Sequence, residues 1–114
     1  MLGLVETTLD DDQAEDVRII SLAGKADFAD YMVIASGSSR RKVAAMATHL
    51  TAKLKKKGVT GLSIEGRTVG DWVLLDAGAI IIHLFRPETR AYYDLEKLWE
   101  PDIAGPRRPE PAVL

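Results

Sequence analysis

Apolar residues recur along this chain at two periods, and the changes from one period to the other mark its elements. Leu2, Val5 and Leu9 stand at helical spacing, but the acidic run Asp10 to Asp12 sits badly at the negative end of a helix dipole, so a short or frayed first helix is expected. Val17 to Leu22 is rich in β-branched residues and closed by Ala23 and Gly24, and Tyr31 to Ala35 is an uninterrupted apolar run. Both predict strands. Ser36-Gly37-Ser38-Ser39 then offers a turn and an N-cap, after which Val43, Met46, Ala47, Leu50 and Leu54 form one apolar stripe. A helix that starts there should stop at Lys55, Lys56 and Lys57, which suit the dipole, with Gly58 free to take the left-handed cap.

Leu62 to Glu65 predicts a further strand, and the order strand 31–35, helix, strand 62–65 predicts a right-handed crossover joining two parallel neighbours. Trp72 to Asp76 and Ala79 to Phe85 are separated by Ala77 and Gly78 alone, the spacing of a tight antiparallel hairpin. Pro87 suits the first turn of a last helix carrying Tyr92, Leu95 and Trp99 along it, which Glu100-Pro101 should end. Pro101, Pro106, Pro109 and Pro111 then dominate a segment with few core formers, read as a flexible Pro-rich tail over 101–114. The fold expected is one α/β domain over 1–100, with a mixed, α+β-like sheet of five strands flanked by helices.

The hairpin carries the most information. A loop of Ala77 and Gly78 pairs Asp76 with Ala79, Leu74 with Ile81 and Trp72 with His83. Val73, Leu75, Ile80, Ile82 and Leu84 then share an aliphatic side that belongs under a helix. The other side collects Trp72, Leu74, Asp76, Ala79, Ile81, His83 and Phe85, a mixture of aromatic, aliphatic and ionisable groups. Either a second helix covers that mixture or it is an interface. The position of Trp72 at the strand's start, beside the Gly66-to-Asp71 loop, favours a partner anchor, a role in which one tryptophan contributes roughly 2 kcal/mol or more.

Composition narrows the function. With 114 residues, 46% of them hydrophobic and 28% charged, the chain has the make-up of one folded domain. It lacks an apolar run approaching the roughly 18 residues of a membrane span. Met1 to Leu9 do not have the pattern of a signal peptide, and there is no cysteine; a reducing, cytoplasmic setting is expected. The net charge of −2 argues against general nucleic-acid affinity. Glu65, Asp71, Asp76, Asp94 and Glu96 instead suit a basic protein partner. Arg40, Arg41, Lys42, Lys53, Lys55, Lys56 and Lys57 bracket the long helix as exposed charge, with a secondary contact to RNA phosphates as the alternative.

Catalytic chemistry is not announced. His49 falls in the long helix and His83 inside a strand, neither in a triad or metal spacing; His83 reads as a structural residue, with acid–base work beside Asp76 as the alternative. The Ser36-to-Ser39 turn between a strand and a helix could hold phosphate. Nucleotidyltransferases open in this way, but their chemistry needs paired aspartates on the following strand, where this chain has only Glu65. The turn is better explained as an N-cap, and no enzyme activity, cofactor or metal is expected.

Three stretches carry a family resemblance: Ala26-Asp27-Phe28-Ala29-Asp30-Tyr31-Met32-Val33-Ile34-Ala35-Ser36-Gly37-Ser38-Ser39-Arg40, then Glu65-Gly66 with Asp71-Trp72-Val73-Leu74-Leu75-Asp76, and Tyr93-Asp94-Leu95-Glu96-Lys97-Leu98-Trp99. Together they resemble the ribosomal silencing factor, or Iojap, family. The resemblance implies a nucleotidyltransferase-like fold without the metal-binding aspartates. It also implies a factor that docks on the fourteenth protein of the large ribosomal subunit, at the face turned to the small subunit. Such a factor blocks joining by bulk and lowers translation when nutrients are scarce. Trp72, Leu74 and Asp76 inherit the docking role, with Tyr93, Glu96 and Lys97 as further contributors. The chain departs from the family in a shorter N-terminal helix and in Ala79, where relatives often carry an acid after the hairpin glycine. The first departure leaves a dimer contact through that helix unsupported; the second would weaken one charged contact. Monomer and homodimer both stay open, and residues after Pro101 fall outside the resemblance.

Overall fold

β-branched and aliphatic runs form the centre of the sheet, and amphipathic helices cover one of its faces. The computed structural model describes residues 1–99. In chain order they form α1 (Leu2–Asp11), β1 (Glu15–Ser21), β2 (Tyr31–Ser36), α2 (Arg40–Lys56), β3 (Ser63–Glu65), β4 (Trp72–Asp76), β5 (Ile80–Phe85), α3 (Pro87–Tyr93) and α4 (Leu95–Trp99). The five strands make one mixed sheet, as expected, and their order in it is β1-β2-β5-β4-β3. β2 and β5 run parallel, and the other three pairings are antiparallel.

The crossover differs from expectation. β3 runs in the same direction as β2 but is not its neighbour, because β5 and β4 lie between them. β5 is buried along its whole length and β2 at every position after Tyr31, so these two take the centre, where both faces are covered. β3 has three residues, of which only Ile64 is half-buried, and so short a strand falls at the edge.

α1 and α2 pack on one face. Val5 and Leu9 join Val43, Met46, Leu50 and Leu54 over Val33, Val73, Leu75, Ile82 and Leu84, all fully buried. Each such side chain contributes roughly 1.5–3 kcal/mol by leaving water. Ser39 caps α2 as predicted, its Oγ accepting from Lys42 N at 3.1 Å, and Gly58 takes φ +90 just past the helix end. α1 is a continuous ten-residue helix. Its awkward acidic end is met by α2, where Asp12 Oδ2 lies 2.8 Å from His49 Nδ1.

The hairpin register lies two residues from the expected one. Asp76 pairs with Ile81, Leu74 with His83 and Trp72 with Phe85. The loop is Gly78-Ala79, closed by Ala77 N donating to Ile80 O at 3.0 Å. Gly78 has φ +83, and the Asp76 carboxylate accepts from its N–H at 2.8 Å, so local turn chemistry sets this loop. A shift of two residues leaves strand side chains on their expected faces. Ala79 is the exception, packing against the helix-covered core rather than the open side.

The last helix is also revised. It breaks at Asp94, which takes a left-handed conformation at φ 50 and ψ 52, so Tyr92 and Leu95 do not lie along one continuous helix. Tyr92 is exposed, while Leu95 packs against the second core of Ile20, Leu22, Met32, Ile34, Ile81 and Phe85. The expected stop at Glu100-Pro101 and the tail over 101–114 lie outside the described residues.

Candidate docking surface

The site begins with two glycines. Gly66 and Gly70 have φ +88 and +80. A Cβ on Gly66 would lie 2.1 Å from Trp72 O, and one on Gly70 would lie 2.8 Å from Arg40 O. Only glycine lets this loop fold so closely over the start of β4. Asp71, at its end, accepts from Arg40 Nε at 2.7 Å and Arg86 Nη1 at 3.1 Å. Arg86 also pairs with Glu88. Hydrogen bonding from Arg40, assisted by Arg86, holds the Asp71 carboxyl below its ordinary range.

This bracket delivers Trp72 into an aromatic cluster. Its ring lies 5.0 Å from Phe85, 4.7 Å from Tyr93 and 5.8 Å from His83. Its Nε1 donates to His83 Nδ1 at 3.0 Å. His83 is buried, and burial pushes its pKa down to about 4. It is therefore a neutral imidazole at pH 7, accepting through Nδ1 and carrying its proton on Nε2. The structural reading of His83 fits this geometry. Its rung of the ladder holds Leu74, and Asp76 is two rungs away opposite Ile81.

Trp72 is half-buried, packed against the second core, and its N–H is used within the fold. Beside it, Tyr93 is 50% exposed and Tyr92 82%. A shallow hollow of about 380 Å³ lies among Asp71, Trp72, Glu88, Thr89, Tyr92 and Tyr93. Leu74 is half-buried on the same face, and Asp76 is exposed four residues along. Cross-strand pairing adds Glu65 opposite Leu74 and Ser63 opposite Asp76, so two open carboxylates flank Leu74.

Of the five acids expected to attract a basic partner, Glu65, Asp76 and Asp94 are exposed. Asp71 and Glu96 are not available in the same way, since each is bound by the protein's own arginines. Arg90, only 8% exposed, donates from Nη1 to Ser36 Oγ at 2.8 Å and from Nε to Glu96 Oε2 at 2.9 Å. Its Nη2 lies 2.8 Å from the same carboxylate oxygen. Glu96, assigned to the partner by resemblance, thus faces Arg90, whereas Lys97 is exposed. Arg90 carried no sequence signal, because its spacing from Glu96 is not a helical contact distance and becomes one only through the break at Asp94.

The Ser36-to-Ser39 turn is built into the fold. Ser36 binds Arg90, Ser39 caps α2, and Gly37 N donates to Phe85 O at 2.9 Å. A Cβ on Gly37 would lie 2.8 Å from Met46 Cε, so the glycine serves the close approach of α2. Among the described residues, no group of three His, Asp or Glu is placed to hold a metal ion, and no helix is long and apolar enough to cross a membrane.

A mixed five-stranded sheet with both longer helices on one face and a partly exposed aromatic cluster on the other defines a small α+β domain. The chain belongs to the RsfS family: the model described as "Ribosomal silencing factor during starvation" matches residues 1–112. That span takes in residues 101–112, beyond the stretches that carry the sequence resemblance. A ribosomal silencing factor of Zymomonas mobilis is 57% identical over 99 residues, 87% of this chain and 74% of the relative. A mouse protein named "Mitochondrial assembly of ribosomal large subunit protein 1" is 37% identical over 101 residues, 86% of this chain but only 44% of that longer protein. Among solved structures, a Chromobacterium violaceum protein superposes with a TM-score of 0.83 at 34% identity, covering 99% of this chain and 90% of its own. One from Bacillus halodurans gives 0.78 at 35% identity, covering 86% and 91%.

Proposed function

We propose that this protein docks on the large ribosomal subunit through the open face of β4 and the adjoining α3, and that its bulk there prevents the small subunit from joining. Family membership supports a ribosomal role, and the mouse relative's name refers to the large subunit. The observation that carries the reading is the Trp72–Tyr93 ring pair at 4.7 Å, half-open and continuous with Leu74, Glu65 and Asp76. Preset aromatics beside exposed carboxylates suit a basic protein surface, with the rings giving affinity and the acids steering approach. The family resemblance points to the fourteenth large-subunit protein as this partner, reached by Trp72, Leu74, Asp76, Tyr93 and Lys97. Such a block would repress translation, and the family resemblance assigns that repression to nutrient limitation in the cytoplasm. No catalytic step is needed for it.

Lys53, Lys55, Lys56 and Lys57 are exposed and supply a secondary contact to ribosomal RNA phosphates. A nucleotide-binding role has less support, because Ser36, Gly37 and Ser39 are committed within the fold. A homodimer through the docking face would compete with the ribosome.

Sucrose-gradient sedimentation of purified subunits tests the proposal. The protein should travel with large subunits and reduce the joined-ribosome peak when added before small subunits. Tyr93→Ala and Trp72→Ala, checked for folding by circular dichroism, should lose cosedimentation. Undiminished binding by both folded variants would refute the surface, and binding without loss of joined ribosomes would refute the block.

A further inference from the structure

Tyr93 meets Trp72 from the last residue of a seven-residue helix, next to a left-handed break, and so short a helix cannot hold a ring in place by itself. Arg90, three residues earlier in the same helix, is anchored outside it. It is the one buried ionisable side chain besides His83 among the described residues, and it joins three elements: Ser36 at the end of β2, its own α3, and Glu96 on α4. The Glu96 side chain is itself 19% exposed, so most of the pair is out of water. The break is held from both sides, with Asp94 N donating to Arg90 O at 2.8 Å and Lys97 N to Asp94 O at 3.2 Å. The residue before the break is Tyr93; the residue after it, Leu95, enters the second core.

We infer that the Arg90–Glu96 pair is a positioning latch: it folds α4 back on α3 and so holds Tyr93 against the Trp72 indole before any partner arrives. Glu96 then acts on docking through Arg90 and touches no partner atom. The inference rests on the proposed docking face and explains how that face is preset. An interface held in its bound form loses less freedom on association, so breaking the latch weakens docking although every contact residue remains.

A double-mutant cycle separates the latch from direct contact. Large-subunit affinity is measured for the full chain and for Arg90→Met, Glu96→Met and the double variant, while Tyr93 ring resonances, shifted by the indole, are followed by NMR. Each single variant should bind about tenfold more weakly and lose the Tyr93 shift, and the double variant should be no worse than either single. Glu96→Gln, which keeps an oxygen for Arg90 Nε, should recover the shift and most of the affinity, and it also serves if the methionine variants fail to fold. Additive losses, or a Glu96→Gln variant that keeps the Tyr93 shift yet binds as poorly as Glu96→Met, would make Glu96 a direct contact and overturn the latch. Full affinity with a displaced Tyr93 would overturn it too. If the unaltered protein does not bind large subunits, the docking proposal fails, while the NMR arm still decides whether the pair positions Tyr93.

Discussion

His83 shows how one residue couples the core to the surface. As a neutral acceptor it fixes the Trp72 indole, and burial lowers its pKa from 6.5 to about 4. Between those values the unfolded chain binds the proton that the folded chain refuses. Stability contributed by neutral His83 is therefore complete above about pH 6.5 and drains away as pH falls toward 4, by on the order of 3 kcal/mol. Urea unfolding at a series of pH values should show this fall, and His83→Gln, which does not titrate, should flatten it by a similar amount. An equal pH dependence in the two proteins would mean that carboxylates alone produce it. Asp71 and Glu96 are instead paired with the protein's own arginines.

At the scale of elements, α2 is the most self-sufficient part of the chain. Its stripe, its Ser39 cap and its lysine-rich end all favour the same boundaries, so local and tertiary preferences agree. Ser39→Ala should lower stability by about 1 kcal/mol in urea or thermal unfolding, through the orphaned Lys42 N–H, with little change in ribosome binding. β3 and α4 are the opposite case. Three residues and five residues respectively, they take their places from neighbours, β3 from its ladder with β4 and α4 from Leu95 and Glu96. Reading 87–99 as one helix fails for this reason. Nothing in the local pattern requires a break at Asp94, whose left-handed backbone costs roughly 1–2 kcal/mol for a residue with a Cβ and is offset by the contacts made across it.

For the whole molecule, the decisive asymmetry is between the two faces of the sheet. α1 and α2 seal one, while the other is left to loops, α3 and α4, with its aromatic and acidic residues open near β4. Docking there should combine a salt-insensitive aromatic part with a salt-sensitive steering part. Asp76→Asn keeps the oxygen that accepts from Gly78 N–H but removes the charge, so the hairpin should survive. Association with large subunits, followed by stopped-flow fluorescence, should slow by a few-fold at low salt and converge with the unaltered protein at high salt. A deficit unchanged by salt would show that Asp76 acts through the hairpin instead of through its charge.

Periodicity, turn residues and the apolar runs determined the five strands, α2 with both its ends, and the division of β4 and β5 side chains between two faces. These depend on near neighbours along the chain, and the face assignment survived a two-residue error in register because strand side chains alternate with period two. Tertiary structure alone decided the order of the strands, the half-burial of Trp72 and the pairing of Arg90 with Ser36 and Glu96. Each depends on which distant segments meet, such as β5 entering between β2 and β4 or α4 turning back at Asp94. Those meetings are settled by the burial of whole surfaces, which no local pattern along the chain encodes.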